Sequence, residues 1–353
     1  MILLFKEIDN FTKGDGKPFN AGENVYREID LNTININLYS VLKKIYPNIL
    51  ISKMFFYDER EKDLLIPVPK DLALLSKNFI KPGLKLINQH KKYILSFQKK
   101  GKLKEKEGFI YLKDLEYYIF DEDNLYLEED NIKNLVKTNI KTGIKLNRES
   151  RNVEMGNLYF QKFINFEENI SLLCETNNIN FTKSIYTLGA ESKTFKVQKS
   201  NLNIEDVFDS DNINFDEIKS EIQKTNYFKI ILLTPTNYPP KIEGATRISQ
   251  LTGKPITFSG WFNVYDKNKK IDSFPSRLFK LIPAGSVFYY KINDEITKDD
   301  KKLEEFTEKL FKKYWLKPSF FVPEYPYFEK TEDGTNPLGF GLSIIGVAQV
   351  EED

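Results

Sequence analysis

The chain has 353 residues, with 52 Lys and Arg against 51 Asp and Glu and a formal net charge of +1. This balance excludes a strong attraction of the whole molecule to nucleic acid or to an anionic membrane. A site for a polyanion must therefore come from local clustering of basic residues. The length predicts about two domains, each able to bury a substantial core.

The single cysteine, Cys174, excludes an intramolecular disulfide and favours a reducing compartment. The amino-terminal run MILLF is too short for the core of a signal peptide. No later stretch approaches the ~20 apolar residues of a membrane span. We therefore expect a cytoplasmic protein.

The first elements in chain order are a strand, a glycine-rich loop and a helix. Residues 1–8 predict a short strand, and residues 11–22 form a glycine-dense loop that carries Lys17 and Phe19. Apolar residues at helical spacing over 34–45 predict the helix. The loop lacks both GxxxxGK(S/T) and GxGxxG, so we expect no nucleotide triphosphate site there.

Two basic segments follow. Residues 90–108 are lysine-rich with interspersed glutamates, which favours a solvated tip over a nucleic-acid patch. Residues 141–160 contain two β-type arms around a polar tip with Arg148 and Arg151, a pattern that predicts a protruding hairpin. The planar guanidinium suits bidentate phosphate contacts. The alternative is a surface hairpin whose arginines pair with the two glutamates of the tip.

The second half begins near Asn226, after a charged segment. Residues 227–234 predict a buried strand, and residues 253–292 predict a long hairpin with aromatic residues on both faces, bent at Pro283-Ala284-Gly285. Residues 297–315 give the strongest helical pattern, with acidic residues at the start and lysines at the end. Residues 336–350 predict a glycine-rich turn into a strand.

The order of strand, hairpin, helix and strand resembles a ferredoxin-like unit, and the first half is consistent with a decorated version of it. The expected fold class is α+β with two ferredoxin-like (RRM-like) domains. Residues 1–225 form the first, with insertions and the hairpin 141–160. Residues 226–353 form the second, with the hairpin 253–292 and the glycine-rich turn.

The sequence contains no recognisable catalytic constellation. His90 is the single histidine and stands among lysines, which favours a surface position. Cys174 has apolar neighbours, which favours a buried structural thiol. Gly339-Phe340-Gly341 is not a dinucleotide fingerprint, because no helix follows it. We expect no catalysis, no metal and no cofactor.

Several motifs carry a resemblance to a known family. They are, in order, GKPFNAG, TGIKLNRESRNVEMGNLYF, LGAESK, LLTPTNYPP, GW, RLFKLIPAGSVFYY and NPLGFGLSIIG. Together they resemble the third subunit of the Cmr complex, the type III-B CRISPR effector, within the repeat-associated (RAMP) superfamily. Two places depart from the family pattern. Ala190 and Lys193 stand where the family tends to glycine and arginine, and Phe274-Pro275-Ser276 replaces a lysine–proline pair.

The resemblance implies a non-catalytic RNA-binding subunit with two ferredoxin-like RAMP domains. The family member caps the 5′ handle of the CRISPR RNA in an antiviral ribonucleoprotein. It docks against the large polymerase-like subunit and the first backbone subunit, with no membrane or small-molecule substrate. The hairpin 141–160 would correspond to the superfamily's thumb, which lies across the guide backbone.

Three alternatives stay open. One is the equivalent subunit of a type III-A or III-D complex. Another is a metal-independent RAMP endoribonuclease that processes repeat RNA, with His90 or Tyr159 as its base. The third is a structural adaptor that never contacts RNA.

A defined RNA end can be held by a few cation–phosphate contacts, main-chain amides and stacking worth ~1–3 kcal/mol per base. The glycines would let the main chain approach RNA closely. The predicted RNA-binding residues are Lys17, Phe19, Arg148, Arg151, Lys193, Arg247, Lys254, Trp261, Arg277, Gly339 and Gly341.

Overall fold

The computed structural model describes residues 1–10, 26–27, 31, 34–87, 92–98, 101–122, 124–146, 149–150, 152–182, 184–188, 193–210, 213–258, 261–266, 269–275, 278–321 and 336–352. Within these residues the protein is mixed α/β, with mainly antiparallel sheets and few helices.

The strands are β1 (Ile2–Glu7), β2 (Tyr26–Arg27), β3 (Ile51–Asp58), β4 (Asp63–Pro67), β5 (Ala73–Leu75), β6 (Asn78–Ile80), β7 (Gly83–Ile87), β8 (Lys92–Ser96), β9 (Leu103–Glu105), β10 (Phe109–Tyr111), β11 (Val136–Leu146), β12 (Val153–Phe166), β13 (Ile170–Thr176), β14 (Ile185–Leu188), β15 (Lys193–Ser200), β16 (Tyr227–Leu232), β17 (Ala245–Leu251), β18 (Ile256–Phe258), β19 (Trp261–Asp266), β20 (Lys269–Pro275), β21 (Phe279–Leu281), β22 (Val287–Ile292), β23 (Ser343–Val347) and β24 (Val350–Glu352). The α-helices are α1 (Ile34–Ile45), α2 (Glu116–Ile119), α3 (Ile204–Ser210), α4 (Phe215–Thr225), α5 (Asp294–Thr297) and α6 (Asp300–Tyr314).

The larger sheet, sheet 1, has seven strands in the order β10-β4-β3-β13-β1-β15-β14, and neighbouring strands are antiparallel. Strand β1, which lies between β13 and β15, is covered on both faces, because Leu3 and Phe5 pack with helix α1 while Ile2 and Leu4 face the opposite cluster. Burial on both faces explains why the first strand is a continuous apolar run and does not alternate.

The smaller sheet, sheet 2, has the order β17-β22-β16-β23, again antiparallel throughout. Helix α6 joins β22 to β23 and packs beside α4. Asp299 caps α6 by accepting hydrogen bonds from the backbone N–H groups of Lys301 and Lys302. The helix predicted over 297–315 is therefore confirmed, with its start displaced to the cap.

Both sheets contain the strand order of a ferredoxin-like unit, but neither has its full set of helices. Numbered along the chain, the strands β3-β13-β1-β15 and β17-β22-β16-β23 both run 2-3-1-4. Sheet 1 has the first crossover helix, α1, whereas the described residues between β13 and β15 include no helix. Sheet 2 has the second, α6, whereas residues 233–244 between β16 and β17 include none. Two complete ferredoxin-like domains thus stay a prediction.

The hydrophobic core does not divide at the predicted boundary. Asn226 ends helix α4 in the left-handed conformation, with φ 61°. One cluster of buried side chains nevertheless continues from Phe55 and Leu173 of sheet 1 to Phe228 and Phe288 of sheet 2. Strand β24 also pairs in parallel with β7, far back in the first half. The division into 1–225 and 226–353 stays a prediction.

A buried polar network, which we call the seam network, links the two sheets. Asp71 accepts hydrogen bonds from the hydroxyls of Tyr118 (2.7 Å) and Tyr289 (2.5 Å). The fully buried Lys229 donates to the Tyr118 carbonyl at 2.7 Å and to Asp121 at 3.2 Å. Burial raises the pKa of Asp71 and lowers the pKa of Lys229. Each buried charge needs these partners, so the network fixes how the sheets meet.

Candidate functional site

The first candidate feature is a β arm formed by β11 and β12, which we call arm 1 (136–166). The strands pair antiparallel from Val136 opposite Phe166 to Ile144 opposite Leu158, with an irregularity before Leu146. Residues 137–142 are exposed in unbroken succession. Since successive side chains of a strand point to opposite faces, both faces of this part of arm 1 are in water. The pairing extends beyond the predicted 141–160, and the thumb role stays a prediction.

The base of arm 1 is fixed to sheet 1. The Phe166 ring lies edge-on to Phe56 (5.9 Å between centroids) and to Phe195 (6.2 Å). Glu7, at the end of β1, accepts hydrogen bonds from the Phe166 backbone N–H (2.5 Å) and the Asn165 amide (2.6 Å). Burial raises the pKa of Glu7 to about 7, against the lowering effect of these two hydrogen bonds. The arm therefore leaves a rigid base.

The second feature is arm 2 (253–281), which contains the ladders β18–β21 and β19–β20. Lys254 and Lys280 are exposed on it. The prediction of one hairpin over 253–292 was wrong in its second half, because β22 leaves the arm and joins sheet 2 between β16 and β17.

The predicted bend at Pro283-Ala284-Gly285 is confirmed, and it redirects the chain into sheet 2. Gly285 has φ 81°, and a Cβ there would lie 2.5 Å from the Val68 carbonyl oxygen. Its N–H donates to the Leu232 carbonyl at 2.7 Å, and its own carbonyl accepts from the Lys70 N–H at 2.8 Å. Only glycine fits both the left-handed conformation and this close approach.

Both arms are basic segments of the chain. Each contains six Lys or Arg and two Asp or Glu, a net charge of +4. Because the whole chain carries +1, the residues outside the arms carry a net −7. Residues 90–108, with seven Lys and two Glu, are a third basic segment with a net charge of +5. A near-neutral protein thus has three basic segments, and a polyanion would be attracted to these over the rest of the chain.

A small apolar cleft, with a cavity volume of about 30 Å³, lies between the two sheets. Met54, Phe56 and Phe109 line it from sheet 1, and Thr234 and Ala284 line it from the side of sheet 2. Phe56 also contacts Phe166 at the base of arm 1, and Ala284 follows arm 2 in the chain. The cleft therefore lies between the bases of the two arms.

Two sequence motifs meet at Thr234, on the wall of this cleft, and Ala284 of a third motif lines the same cleft. The Thr234 hydroxyl donates to the Gly339 carbonyl at 2.8 Å and accepts from the Leu342 N–H at 2.9 Å. The Gly341 N–H donates to the Pro235 carbonyl at 2.9 Å. LLTP, PAGS and NPLGFG thus build one buried wall, which the sequence order alone did not indicate.

Gly339 and Gly341, predicted to approach RNA, are both buried. Their φ values are 67° and 73°, and a Cβ on Gly341 would lie 2.5 Å from the Phe321 nitrogen. The left-handed backbone accounts for Gly339, and the same conformation together with close packing accounts for Gly341. Their contact with RNA stays a prediction, and the structure favours a role in shaping the cleft wall.

The other predicted site residues are dispersed. Arg247 is exposed on the edge strand β17, with its guanidinium 5.8 Å from the centre of the Phe288 ring, and Lys254 is exposed at the start of arm 2. Lys193 opens β15 and Trp261 opens β19. The positions that lie outside the described residues are Lys17, Phe19, Arg148, Arg151, Arg277 and His90.

Two exposed lysines on the arms were missed from the sequence. Lys141 lies 4.4 Å from the centre of the Phe163 ring on arm 1, and Lys280 is exposed on arm 2 opposite Thr257. Counting charge over each arm would have found them. Lys137, also on arm 1, forms an exposed ion pair with Glu167.

Cys174 is buried in β13, and its burial raises the pKa of the thiol, as a structural cysteine requires. Among the described residues, no group of three His, Cys, Asp or Glu side chains is arranged to hold a metal ion. None of the helices in the described ranges is long and apolar enough to cross a membrane.

The described residues define a mixed α/β protein with antiparallel sheets and two basic β arms beside an apolar cleft. Residues 43–348 match the family described as CRISPR-associated protein (Cas_Cmr3), and the chain belongs to this family. The predicted resemblance to the third Cmr subunit is therefore confirmed.

Two solved structures have related chains. One is a cryo-EM structure of the type III-B Cmr-beta bound to cognate target RNA and AMPPnP, at 14% identity and a TM-score of 0.47, covering 86% of this chain and 93% of that chain. The other is the type III-B Cmr-beta bound to cognate target RNA, at 13% identity and a TM-score of 0.46, covering 87% and 94%. No curated protein sequence matches the chain.

Proposed function

We propose that this protein is a non-catalytic RNA-binding subunit of a type III-B CRISPR effector complex in the cytoplasm. In this role it caps the 5′ handle of the CRISPR RNA and bridges the large polymerase-like subunit to the backbone filament in antiviral defence. Family membership supports the complex. The observation that supports RNA binding is the net charge of +4 on each of two arms, with an apolar cleft between their bases.

The basic arms suit the phosphates of a single-stranded RNA, and the apolar cleft suits its bases. Exposed cations on the arms, such as Lys141 and Lys254, can contact phosphates and release counterions. At the cleft the partly exposed ring of Phe109 is the aromatic face available to a base, and stacking contributes ~1–3 kcal/mol per base. The negative charge of the residues outside the arms and outside the basic segment 90–108 disfavours RNA there.

The geometry favours binding over cleavage of RNA. The one thiol of the sequence is buried with a raised pKa, and so cannot act as a nucleophile. The rival metal-independent endoribonuclease depends on His90 or Tyr159. Incubating the protein with labelled repeat RNA in EDTA separates the two, because sequence-specific cleavage abolished by His90→Ala would establish the nuclease.

The binding proposal is tested with a labelled RNA of the repeat-derived 5′-handle sequence. We expect the triple variant Lys141→Ala, Arg148→Ala and Arg151→Ala to lower the slope of log affinity against log salt by about 2, at ~0.7 per phosphate contact. The arm 2 variant Lys254→Ala with Lys280→Ala should lower it by about 1.4.

The matched control is Lys301→Ala with Lys312→Ala, which removes two exposed lysines from α6. The control should keep the wild-type slope. If both arm variants also keep it, the arms do not bind the handle and the proposal is wrong. Equivalent subunits of type III-A or III-D complexes are distinguished by the proteins that co-purify with the chain.

A further inference from the structure

Tyr117 and Tyr126 form an exposed aromatic pair outside the arms and the cleft. Their ring centroids are 5.1 Å apart with 60° between the planes. The side chains are 37% and 74% exposed, respectively. We call these two tyrosines, together with Glu116 and Glu122, the tyrosine patch. No element of the RNA-binding proposal uses it.

The buried residues on either side of Tyr126 hold its backbone so that the ring is exposed to solvent. Tyr126 has φ 49°, in the left-handed region that disfavours residues with a side chain. Leu125 and Leu127 on either side are 4% and 2% exposed, so their burial fixes the main chain between them. A large ring in a disfavoured conformation and in solvent contributes little to folding, which points to a contact outside this chain.

The patch is acidic without compensating cations. The Glu122 N–H donates to the Tyr117 carbonyl at 2.9 Å, which places Glu122 at the end of the helix that carries Glu116 and Tyr117. Burial first, and then the charges of Glu122 and Glu217, raise the pKa of Glu116. Across the described ranges, none of these three glutamates forms an ion pair. The repulsion between them would be relieved by an incoming positive charge.

Exposed tyrosines beside carboxylates favour a positively charged partner. Uncompensated carboxylates repel the phosphates of RNA, so the patch cannot extend the RNA surface. Tyrosine faces attract ammonium and guanidinium groups, and carboxylates beside them add a charged hydrogen-bond acceptor. Tyrosine and arginine are also the residues that most often dominate protein interfaces.

We propose that the tyrosine patch docks a lysine- or arginine-bearing surface of another protein subunit of the effector complex. The existence of that complex rests on the proposed function, whereas the assignment of this surface rests on the patch alone. The protein-docking and RNA-binding surfaces of the chain then have opposite charge. The acidic patch repels RNA, and the basic arms repel the lysine- or arginine-bearing partner, so each surface excludes the wrong ligand.

The test is reconstitution of the complex from the tagged chain, the large polymerase-like subunit and the first backbone subunit. We expect Tyr117→Ala with Tyr126→Ala, and separately Glu116→Lys with Glu122→Lys, to weaken incorporation of the chain about tenfold to thirtyfold. The matched control, Glu304→Lys with Glu305→Lys on exposed positions of α6, should assemble like the wild type. Thermal melting of each free variant checks that it is folded.

A measurement of handle-RNA binding by the free chain separates the docking proposal for the tyrosine patch from the RNA-binding proposal for the arms. Patch variants that lose assembly but keep the wild-type salt slope support a protein-docking surface. Normal incorporation of both folded patch variants would overturn the proposal, as would a loss of RNA binding with assembly intact. If the arm variants do not change RNA binding, the proposed function is wrong. The incorporation of the patch variants into the complex can still be interpreted in that case.

Discussion

The seam network and the two arms place charge in opposite environments. In the seam, Lys229 is 0% exposed and is held by Asp121 and by the Tyr118 carbonyl. On the arms, Lys141, Lys254 and Lys280 are exposed to solvent. A buried charge is costly without its partner, whereas an exposed one contributes little to folding and is available for a ligand. Substitutions in the seam should therefore change stability, and substitutions on the arms should change affinity for RNA.

The largest effect is expected from breaking the seam. Asp121 accepts from Lys229 and also pairs with Lys81 at 2.8 Å, so Asp121→Ala leaves both lysines in or near the interior without a carboxylate. We expect the free energy of unfolding in urea to fall by about 3–5 kcal/mol. The exposed Asp130→Ala serves as the control and should leave the midpoint unchanged. An unchanged midpoint for Asp121→Ala would mean that the seam does not hold the sheets together.

A smaller effect is expected at the cleft wall. Gly341→Ala brings a Cβ against the Phe321 nitrogen and the backbone of Phe320, with φ at 73°. We expect a loss of about 2–3 kcal/mol in unfolding free energy, because strain at such positions is of this order. The salt slope of RNA binding should stay at the wild-type value. A changed slope with unchanged stability would instead assign Gly341 to direct RNA contact.

The free energy of unfolding should depend on pH through Glu7, a partly buried carboxyl at the base of the exposed arm 1. This group lies between the buried seam network and the exposed arms. Its pKa of about 7 lies above the ordinary glutamate value of 4.5, so the folded state binds more protons than the unfolded state between these two pH values. Stability therefore falls as pH rises from about 4.5 to 7. After solvent screening we expect about 1 kcal/mol from this group.

Urea titrations across that pH range measure the effect. In Glu7→Gln the slope of stability against pH over this interval should be smaller, since the amide does not titrate. Glu168→Gln, an exposed carboxyl close to the same base, is the control and should retain the wild-type slope. Identical slopes in Glu7→Gln and the wild type would contradict the account of the arm base.

Local pattern was enough to predict the strongest elements. The α6 helix followed from its apolar stripe and its acidic start, and the bend at Gly285 followed from proline and glycine chemistry. The single hairpin over 253–292 was wrong because strand β22 can pair either with the arm or within sheet 2, and periodicity does not record which neighbour a strand takes.

The candidate site depends on contacts that the sequence order conceals. Thr234, Gly339 and Gly341 are brought together from separate motifs by sheet pairing. From the sequence, both glycines fit a main-chain role toward RNA. In the structure both have positive φ and are buried, and Gly341 packs against the backbone of Phe320 and Phe321. The basic charge of the arms could have been predicted from the sequence, because it depends on composition alone.

The central claim, that the RNA end lies on the basic arms beside the cleft, is tested most directly by photo-crosslinking the full chain to handle RNA and mapping the peptides by mass spectrometry. The account predicts crosslinks in residues 136–166 and 253–281 and at cleft aromatics such as Phe109. Crosslinks confined to other surfaces, for example α6 or the tyrosine patch, would contradict it.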